Sequence, residues 1–77
     1  MEDLLKTLLE PLVSDLKKVK IEKEVDGKNY RFLVFVPKED IAKVIGKGGK
    51  MVKSIKNLVK IRAIKEGLFV NIEVQEL

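Results

Sequence analysis

Cysteine and histidine are both absent from this chain of 77 residues. Without cysteine the chain forms no disulfides, and thiol catalysis and cysteine-ligated zinc are excluded. Without histidine, Ser-His-Asp and Cys-His catalysis and most metal sites are excluded as well. The composition therefore argues against an enzyme, and we expect neither a metal nor any other cofactor.

Long apolar runs and a basic N-terminus are also missing. No apolar run is long enough to span a bilayer, and the chain opens with Glu2 and Asp3, where a signal peptide would be basic. Hydrophobic residues make up 45% and charged residues 36% of the chain, a composition typical of globular proteins. We therefore expect one small domain over residues 1–77, located in the cytoplasm and without membrane contact.

Positive charge is concentrated in one part of the chain. Residues 41–65 carry no acidic residue but eight basic ones, which are Lys43, Lys47, Lys50, Lys53, Lys56, Lys60, Arg62 and Lys65. A solvated, lysine-rich helix face is the ordinary explanation, but such faces usually include glutamate for pairing at i,i+4. The basic block therefore favours a surface that binds a polyanion.

Hydrophobic periodicity predicts the element order helix, strand, strand, helix, helix, strand. Apolar residues at helical spacing predict a helix over 4–16, with a kink or restart near Glu10 because Pro11 lacks an N–H. The other predicted elements are strands over 18–25, 29–36 and 68–74 and helices over 38–45 and 50–65. In the last of these helices we expect one buried stripe, formed by Met51, Val52, Ile55, Leu58, Val59 and Ala63.

The connections between these elements predict how the sheet is built. Asp26-Gly27 is a strong signal for a hairpin, so the first two strands should be antiparallel. Two helices separate the second and third strands, which favours parallel pairing through a crossover. The sequence therefore predicts an α+β fold in which a three-stranded mixed sheet is covered by helices on one face.

A glycine-rich segment, Gly-Lys-Gly-Gly at residues 46–49, separates the two central helices. Glycine lets backbone approach backbone closely, and the free N–H groups of the helix that follows form a site for anions. Because Lys47 lies in the segment and Lys50 and Lys53 flank it, phosphate is the expected ligand. One glycine would suffice for a tight turn, so three glycines with a lysine favour binding over a turn alone.

Two nucleotide-binding motifs do not fit this segment. A Walker loop requires Ser or Thr after Gly-Lys, but Met51 follows Gly49-Lys50, and Val44 stands where the first glycine belongs. A dinucleotide fingerprint requires a third glycine at the position of Met51 and a strand before the loop, where we predict a helix. Both motifs are therefore excluded.

The run Val44-Ile45-Gly46-Lys47-Gly48-Gly49-Lys50-Met51-Val52 resembles the signature of the K-homology (KH) domain, Ile-Gly-x-x-Gly-x-x-Ile, with Val52 in place of the final Ile. Both additional elements precede the βααβ core, as in the type II, prokaryotic form. The Glu10-Pro11-Leu12-Val13 run and the Pro37-x-Glu39-Asp40 helix start extend the similarity. Almost the whole chain resembles the small stand-alone bacterial KH proteins, the KhpA or YlqC-like family.

This resemblance implies a non-catalytic type II KH domain that binds single-stranded RNA at the glycine loop. The residues that it assigns to RNA are Gly46, Lys47, Gly48, Gly49, Lys50, Lys53, Lys43 and Ile45. For Val44 and Ile45, a structural role in the core is the preferred interpretation. The resemblance also implies a homodimer or a heterodimer with another KH-containing protein, RNA-chaperone activity, and a part in cell division, cell shape or cell-envelope synthesis.

Some apolar residues fall outside the predicted core. Leu33, Phe35 and Phe69 lie on the sheet face away from the helices, and Ile61 and Ile64 lie off the stripe of the long helix. Small domains rarely leave such patches in water, so both are candidate partner surfaces, the sheet residues first. An alternative function is therefore a dimerising protein-interaction adaptor with little nucleic-acid binding of its own. No small-molecule substrate is expected.

Overall fold

The computed structural model describes all 77 residues. Three helices and three strands follow one another as α1 (Glu2–Leu9), β1 (Lys20–Asp26), β2 (Asn29–Val36), α2 (Lys38–Ile45), α3 (Lys50–Lys65) and β3 (Phe69–Glu76). Short 3-10 turns occupy Glu10–Leu12, Leu16–Lys18 and Lys47–Gly49. The predicted element order is confirmed, and the elements from β2 to α3 have the predicted bounds. β1 begins later than expected because a 3-10 turn occupies the residues before it.

The three strands form one mixed sheet with β2 in the centre. β1 and β2 are antiparallel and join through a turn at Gly27 and Lys28, so that Asp26 pairs with Asn29. β2 and β3 are parallel, with Asn29 opposite Phe69. The predicted topology is therefore confirmed, including the central position of the strand with apolar residues on both faces.

The hydrophobic core lies between one face of this sheet and the three helices. Alternate residues of β2 and β3 point into it because successive side chains of a strand face opposite ways. The core residues are Leu5, Leu9, Phe32, Val34, Val36, Val44, Ile55, Val59, Ala63, Val70 and Ile72. All helices thus cover the same face, and the other face of the sheet is open.

The N-terminal segment differs from its prediction, because the helix expected over 4–16 ends at Leu9 and does not restart as an α-helix. Pro11 lies in the 3-10 turn that follows, and Val13 is extended, with φ −121° and ψ 151°. The amide of the next residue, Ser14, donates to the buried carboxylate of Asp40 instead of to a helical carbonyl. The missing proline N–H and this tertiary contact together end the helix.

The buried stripe of α3 is also narrower than predicted. Ile55, Val59 and Ala63 are buried, but Met51 is 39% and Leu58 is 48% exposed. A line of every fourth residue drifts by roughly 40° per step around an α-helix, so Met51 has turned away from the core. The helix therefore presents more apolar surface to solvent than its sequence pattern suggests. None of the helices combines the length and the apolar character that crossing a membrane requires.

Candidate nucleic-acid interface

Helix α2 carries the chain from the sheet to the glycine loop, and the carboxylate of Asp40 fixes its start. Asp40 is only 1% exposed. Its Oδ1 accepts from the hydroxyl of Ser14 at 2.7 Å, and its Oδ2 accepts from the Ser14 amide at 3.1 Å. The two bonds from Ser14 lower the pKa of the Asp40 carboxyl, Lys43 and Lys18 add to this effect, and burial opposes it. This carboxylate therefore ties the N-terminal segment to the helix that precedes the loop.

Sequence reasoning missed this role of Asp40. The sequence placed the residue only at the start of a helix, a favourable position for a carboxylate next to the positive end of the helix dipole. The partner, Ser14, lies 26 residues earlier in the chain, and no local pattern links the two positions. Only the tertiary fold brings them together.

The glycine loop uses left-handed backbone at each of its three glycines. Gly46 has φ 76° and ψ 173°, Gly48 has φ 63° and ψ 21°, and Gly49 has φ 77° and ψ 10°. Residues with a Cβ rarely adopt such angles. The expectation that one glycine would suffice for the turn is therefore wrong. The number of glycines follows from the path of the backbone and is not by itself a sign of binding.

Space around the loop separates Gly46 from the other two glycines. A Cβ on Gly46 would lie 2.5 Å from the Cβ of Met51 and 2.9 Å from its backbone nitrogen. A Cβ on Gly48 or Gly49 would meet nothing within 4 Å. Gly46 thus permits the end of α2 to pack against the first turn of α3. The two later glycines leave bare backbone facing open space.

The start of α3 lies directly behind this open backbone. No side chain caps the helix at Gly49, and its first turn contains no acidic residue. The amides of Gly49 and Lys50 donate to the carbonyls of Gly46 and Lys47 in the loop. The other N–H groups in the first turn of a helix lack partners within the helix, and its dipole is positive at this end. Lys47 and Lys50 are exposed beside these groups. Phosphate and carboxylate are the ligands that such an arrangement binds.

Comparison with known families agrees with this geometry. The model of the KhpA/KhpB KH domain matches residues 2–74. The chain belongs to this family. Relatives named "RNA-binding protein KhpA" include that of Clostridium acetobutylicum, which is 37% identical, with 96% of this chain and 99% of the relative covered. That of Listeria monocytogenes is 33% identical, with 99% of this chain and 100% of the relative covered. The KhpA of Chlamydia caviae is 35% identical, with 99% of this chain and 97% of the relative covered.

The KH fold brings most of the residues assigned to RNA to one place. Lys43 is in the last turn of α2, Lys47 is in the loop, and Lys50 and Lys53 begin α3. All four lysines are exposed. The preferred core interpretation of Val44 agrees with its complete burial, but Ile45 is 38% exposed at the end of α2. Ile45 therefore offers apolar surface next to the loop.

The basic block of this KH domain is almost free of internal ion pairs. Among its residues only Arg62 is paired, with Glu66 at 3.3 Å. None of the lysines between 41 and 65 lies within ion-pair distance of an acidic side chain. Their charge is therefore available to a ligand from outside the molecule.

A cavity of about 340 Å³ lies at the hairpin end of the sheet and has no residue in common with the glycine loop. Its most prominent charged group, Arg31, donates to Glu73 at 3.0 Å and lies 3.9 Å from Glu24. The bond to Glu73 raises the pKa of Arg31. The fold has no cluster of three or more acidic side chains placed to hold a metal ion. The chemistry of this cavity therefore points to internal charge pairing rather than to an anion site.

Proposed function

We propose that this KH domain is a non-catalytic module that binds single-stranded RNA and holds the RNA backbone at residues 46–49. One observation carries the proposal: bare glycine backbone lies at an uncapped helix start, inside a block of lysines without acidic partners. KH domains clamp the backbone of four nucleotides with this type of loop. The names of the relatives, which describe them as RNA-binding, support the same ligand. An RNA ligand also implies a cytoplasmic location.

Base recognition in this proposal depends on few groups. The chain has only four aromatic residues. Phe32 is buried, Tyr30 lies at the hairpin end of the sheet, and Phe35 and Phe69 lie on the open sheet face, so little stacking surface is left beside the loop. Ile45 lies beside the loop and supplies an apolar contact for a base. Phosphate contacts hold the strand but carry no sequence information. We therefore expect a modest affinity with little preference among sequences.

The loop can be tested against a matched site in the same protein. The hairpin turn also contains an exposed Gly-Lys pair, Gly27 and Lys28, and Gly27 has φ +60° with nothing near its Cβ position. Two double variants therefore impose the same change of charge and similar backbone strain. The loop variant combines Lys47→Asp with Gly48→Asp, and the hairpin variant combines Gly27→Asp with Lys28→Asp. We expect the loop variant to lower RNA affinity about 100-fold or more at low salt, because its carboxylates lie where the phosphates of the RNA would bind and repel them.

The measurement is a titration of labelled single-stranded RNA, with circular dichroism and thermal unfolding as the control for folding. Asp is tolerated in the left-handed region better than most residues, and a helix start tolerates acids, so both variants should fold. The hairpin variant should keep nearly full affinity. Retained RNA affinity in a folded loop variant would show that RNA binds away from the loop, whereas an absence of RNA binding by the wild type would favour the adaptor function.

Association through an apolar surface is a second proposal, supported by exposed side chains on α3. Ile61 is 55% and Ile64 is 73% exposed, next to Leu58 at 48%. On the open sheet face, Phe69 is 70% exposed, whereas Leu33 and Phe35 are half-buried. We therefore propose the side of α3 that carries Leu58 and Ile61, ahead of the sheet, as the surface for a second copy or another KH-containing protein.

A two-fold dimer would bring two glycine loops to one RNA and raise the avidity of a weak site. Sedimentation at micromolar concentrations tests this association with Ile61→Glu and, as the comparison variant, Phe69→Glu. We expect a concentration-dependent dimer that only Ile61→Glu converts to a monomer. If only Phe69→Glu dissociates the dimer, the open sheet face is the interface. A monomer in all samples that also captures no KH-containing partner would contradict the proposal.

A further inference from the structure

One line of polar and basic side chains runs along α3 away from the glycine loop. Lys50, Lys53, Asn57 and Lys60 follow each other at steps of three, four and three residues. Residues at these spacings are neighbours on the surface of a helix, and all four are exposed. We call these four residues the α3 track. It begins at the first residue after the loop and extends about 15 Å along the helix.

The lysines of α3 are costly for an isolated helix, because Lys53 lies three residues after Lys50, and Lys56 lies three residues after Lys53 and four before Lys60. Like charges at i,i+3 or i,i+4 destabilise a helix by roughly 0.2–0.5 kcal/mol per pair. No acidic residue relieves this repulsion within α3, and the nearest, Glu66, pairs with Arg62 outside the track. The helix thus keeps a row of positive charge that its own fold does not neutralise.

We propose that the α3 track is a second RNA-binding strip, which contacts the phosphates of nucleotides that extend beyond those held by the loop. The proposal rests on the proposed function of the loop. Continuity with the loop favours RNA over an anionic membrane surface, because one strand can pass from the loop onto the track without a break. Asn57 adds an amide that donates hydrogen bonds in the middle of the row of lysines. The bound RNA is therefore longer than the four nucleotides of a single KH clamp.

RNA length separates the track from the loop in an experiment. We would compare Lys60→Glu, at the far end of the track, with the control Lys28→Glu, which makes the same change of charge in the hairpin turn. In Lys60→Glu the new carboxylate lies four residues after Lys56, so a favourable pair replaces a repulsive one and the helix should remain folded. The probes are tetrauridylate and dodecauridylate, titrated by NMR and by fluorescence anisotropy.

The expected result is a selective loss for the long probe. Lys60→Glu should lower the affinity for dodecauridylate about fivefold. It should also reduce the slope of log affinity against log salt by about 0.7, the contribution of one single-strand phosphate contact. Its affinity for tetrauridylate, and both affinities of Lys28→Glu, should stay close to wild type. In the wild-type protein, the side-chain amide of Asn57 should shift with the long probe and not with the short one.

Several results would overturn this inference. Equal weakening of both probes by Lys60→Glu would show a general effect of charge, and an unchanged affinity for dodecauridylate would exclude a contact at Lys60. With either of these results, the loop proposal stands and only the track fails, provided that the double variant Lys47→Asp with Gly48→Asp abolishes binding of both probes. If neither probe binds the wild type, both proposals fail. Vesicles of phosphatidylglycerol and phosphatidylcholine are a further arm, and a loss of vesicle binding alone in Lys60→Glu would assign the track to lipid.

Discussion

The two sides of this small KH domain differ in whether their basic side chains form ion pairs. The open face of the sheet carries four acidic and two basic side chains, namely Glu22, Glu24, Asp26, Glu73, Lys20 and Arg31. Both basic side chains there are in ion pairs, at 3.0–3.9 Å. On the side formed by α2, the loop and α3, the eight basic residues between 41 and 65 share a single ion pair.

This contrast separates charges that serve the fold from charges that remain available. Exposed ion pairs on a sheet surface contribute little to stability, but they neutralise the local field and give a polyanion nothing to bind. Unpaired lysines attract a polyanion, because their electric field extends over about 10 Å at moderate salt. The position of the unpaired charge therefore tells more about the ligand than the net charge of +4 does.

The backbone shows a similar contrast between two glycines with positive φ. Gly27 in the hairpin has open space at its Cβ position, whereas Gly46 would place a Cβ 2.5 Å from that of Met51. Gly46 also has ψ 173°, a region in which residues other than glycine are almost absent. The same residue type thus serves a loose turn on the sheet side and a close helix contact on the loop side.

The largest expected effect in this comparison is that of Gly46→Ala on folding. We expect a loss of about 3 kcal/mol, since backbone strain of about 1–3 kcal/mol adds to the overlap with Met51. Gly27→Ala is the matched control, with an expected loss of about 1–2 kcal/mol from the left-handed backbone alone. Urea unfolding of both variants measures the difference. Similar losses for the two would mean that α3 moves aside at little cost.

A smaller effect is expected where Asp40 holds α2 to the N-terminal segment. Asp40→Asn keeps the shape of the side chain but removes the charge that accepts two hydrogen bonds from Ser14, so it should lower the urea midpoint at neutral pH. Because the pKa of Asp40 is lowered in the folded protein, its stabilisation is present above the ordinary Asp pKa of about 3.9. It is lost as the pH falls through the lower, folded-state pKa.

The pH dependence distinguishes this contact from a packing effect. The stability of the wild type and that of Asp40→Asn should differ most at neutral pH and converge below about pH 4, because only the wild type has this carboxylate to protonate. Unfolding in urea at a series of pH values down to strongly acidic conditions checks the convergence. A constant difference across the series would show that the carboxylate charge contributes nothing to the fold.

Local sequence signals were sufficient for most of the fold. Alternating and helical patterns predicted β2, α2 and α3 at about the bounds that they have, and the Asp26-Gly27 turn with the helical crossover predicted the mixed sheet. These elements follow from short-range rules of periodicity and turn chemistry. The same patterns placed the glycine loop between the two central helices, where the structure has it.

What the sequence did not reveal depends on contacts that are distant along the chain. The end of α1 at Leu9 is coupled to the contact between Ser14 and Asp40, 26 residues apart. The exposure of Met51 and Leu58 depends on how α3 is rotated about its axis against the sheet. The pattern of apolar residues in the sequence does not determine that rotation. The positive φ of all three loop glycines became evident only from the structure.

The smallest expected effect is also the sharpest test of the comparison between the two sides. Arg31→Gln on the open face and Lys50→Gln at the loop each remove one positive charge from the protein. Arg31 is already held by Glu73, whose hydrogen bond raises the arginine pKa, so its charge offers little to RNA. We expect Arg31→Gln to leave RNA affinity within about twofold of wild type, while Lys50→Gln reduces the salt slope by about 0.7. Anisotropy titrations at several salt concentrations measure both. If the two variants weaken RNA binding equally, the total charge governs the affinity and the location of the unpaired lysines does not.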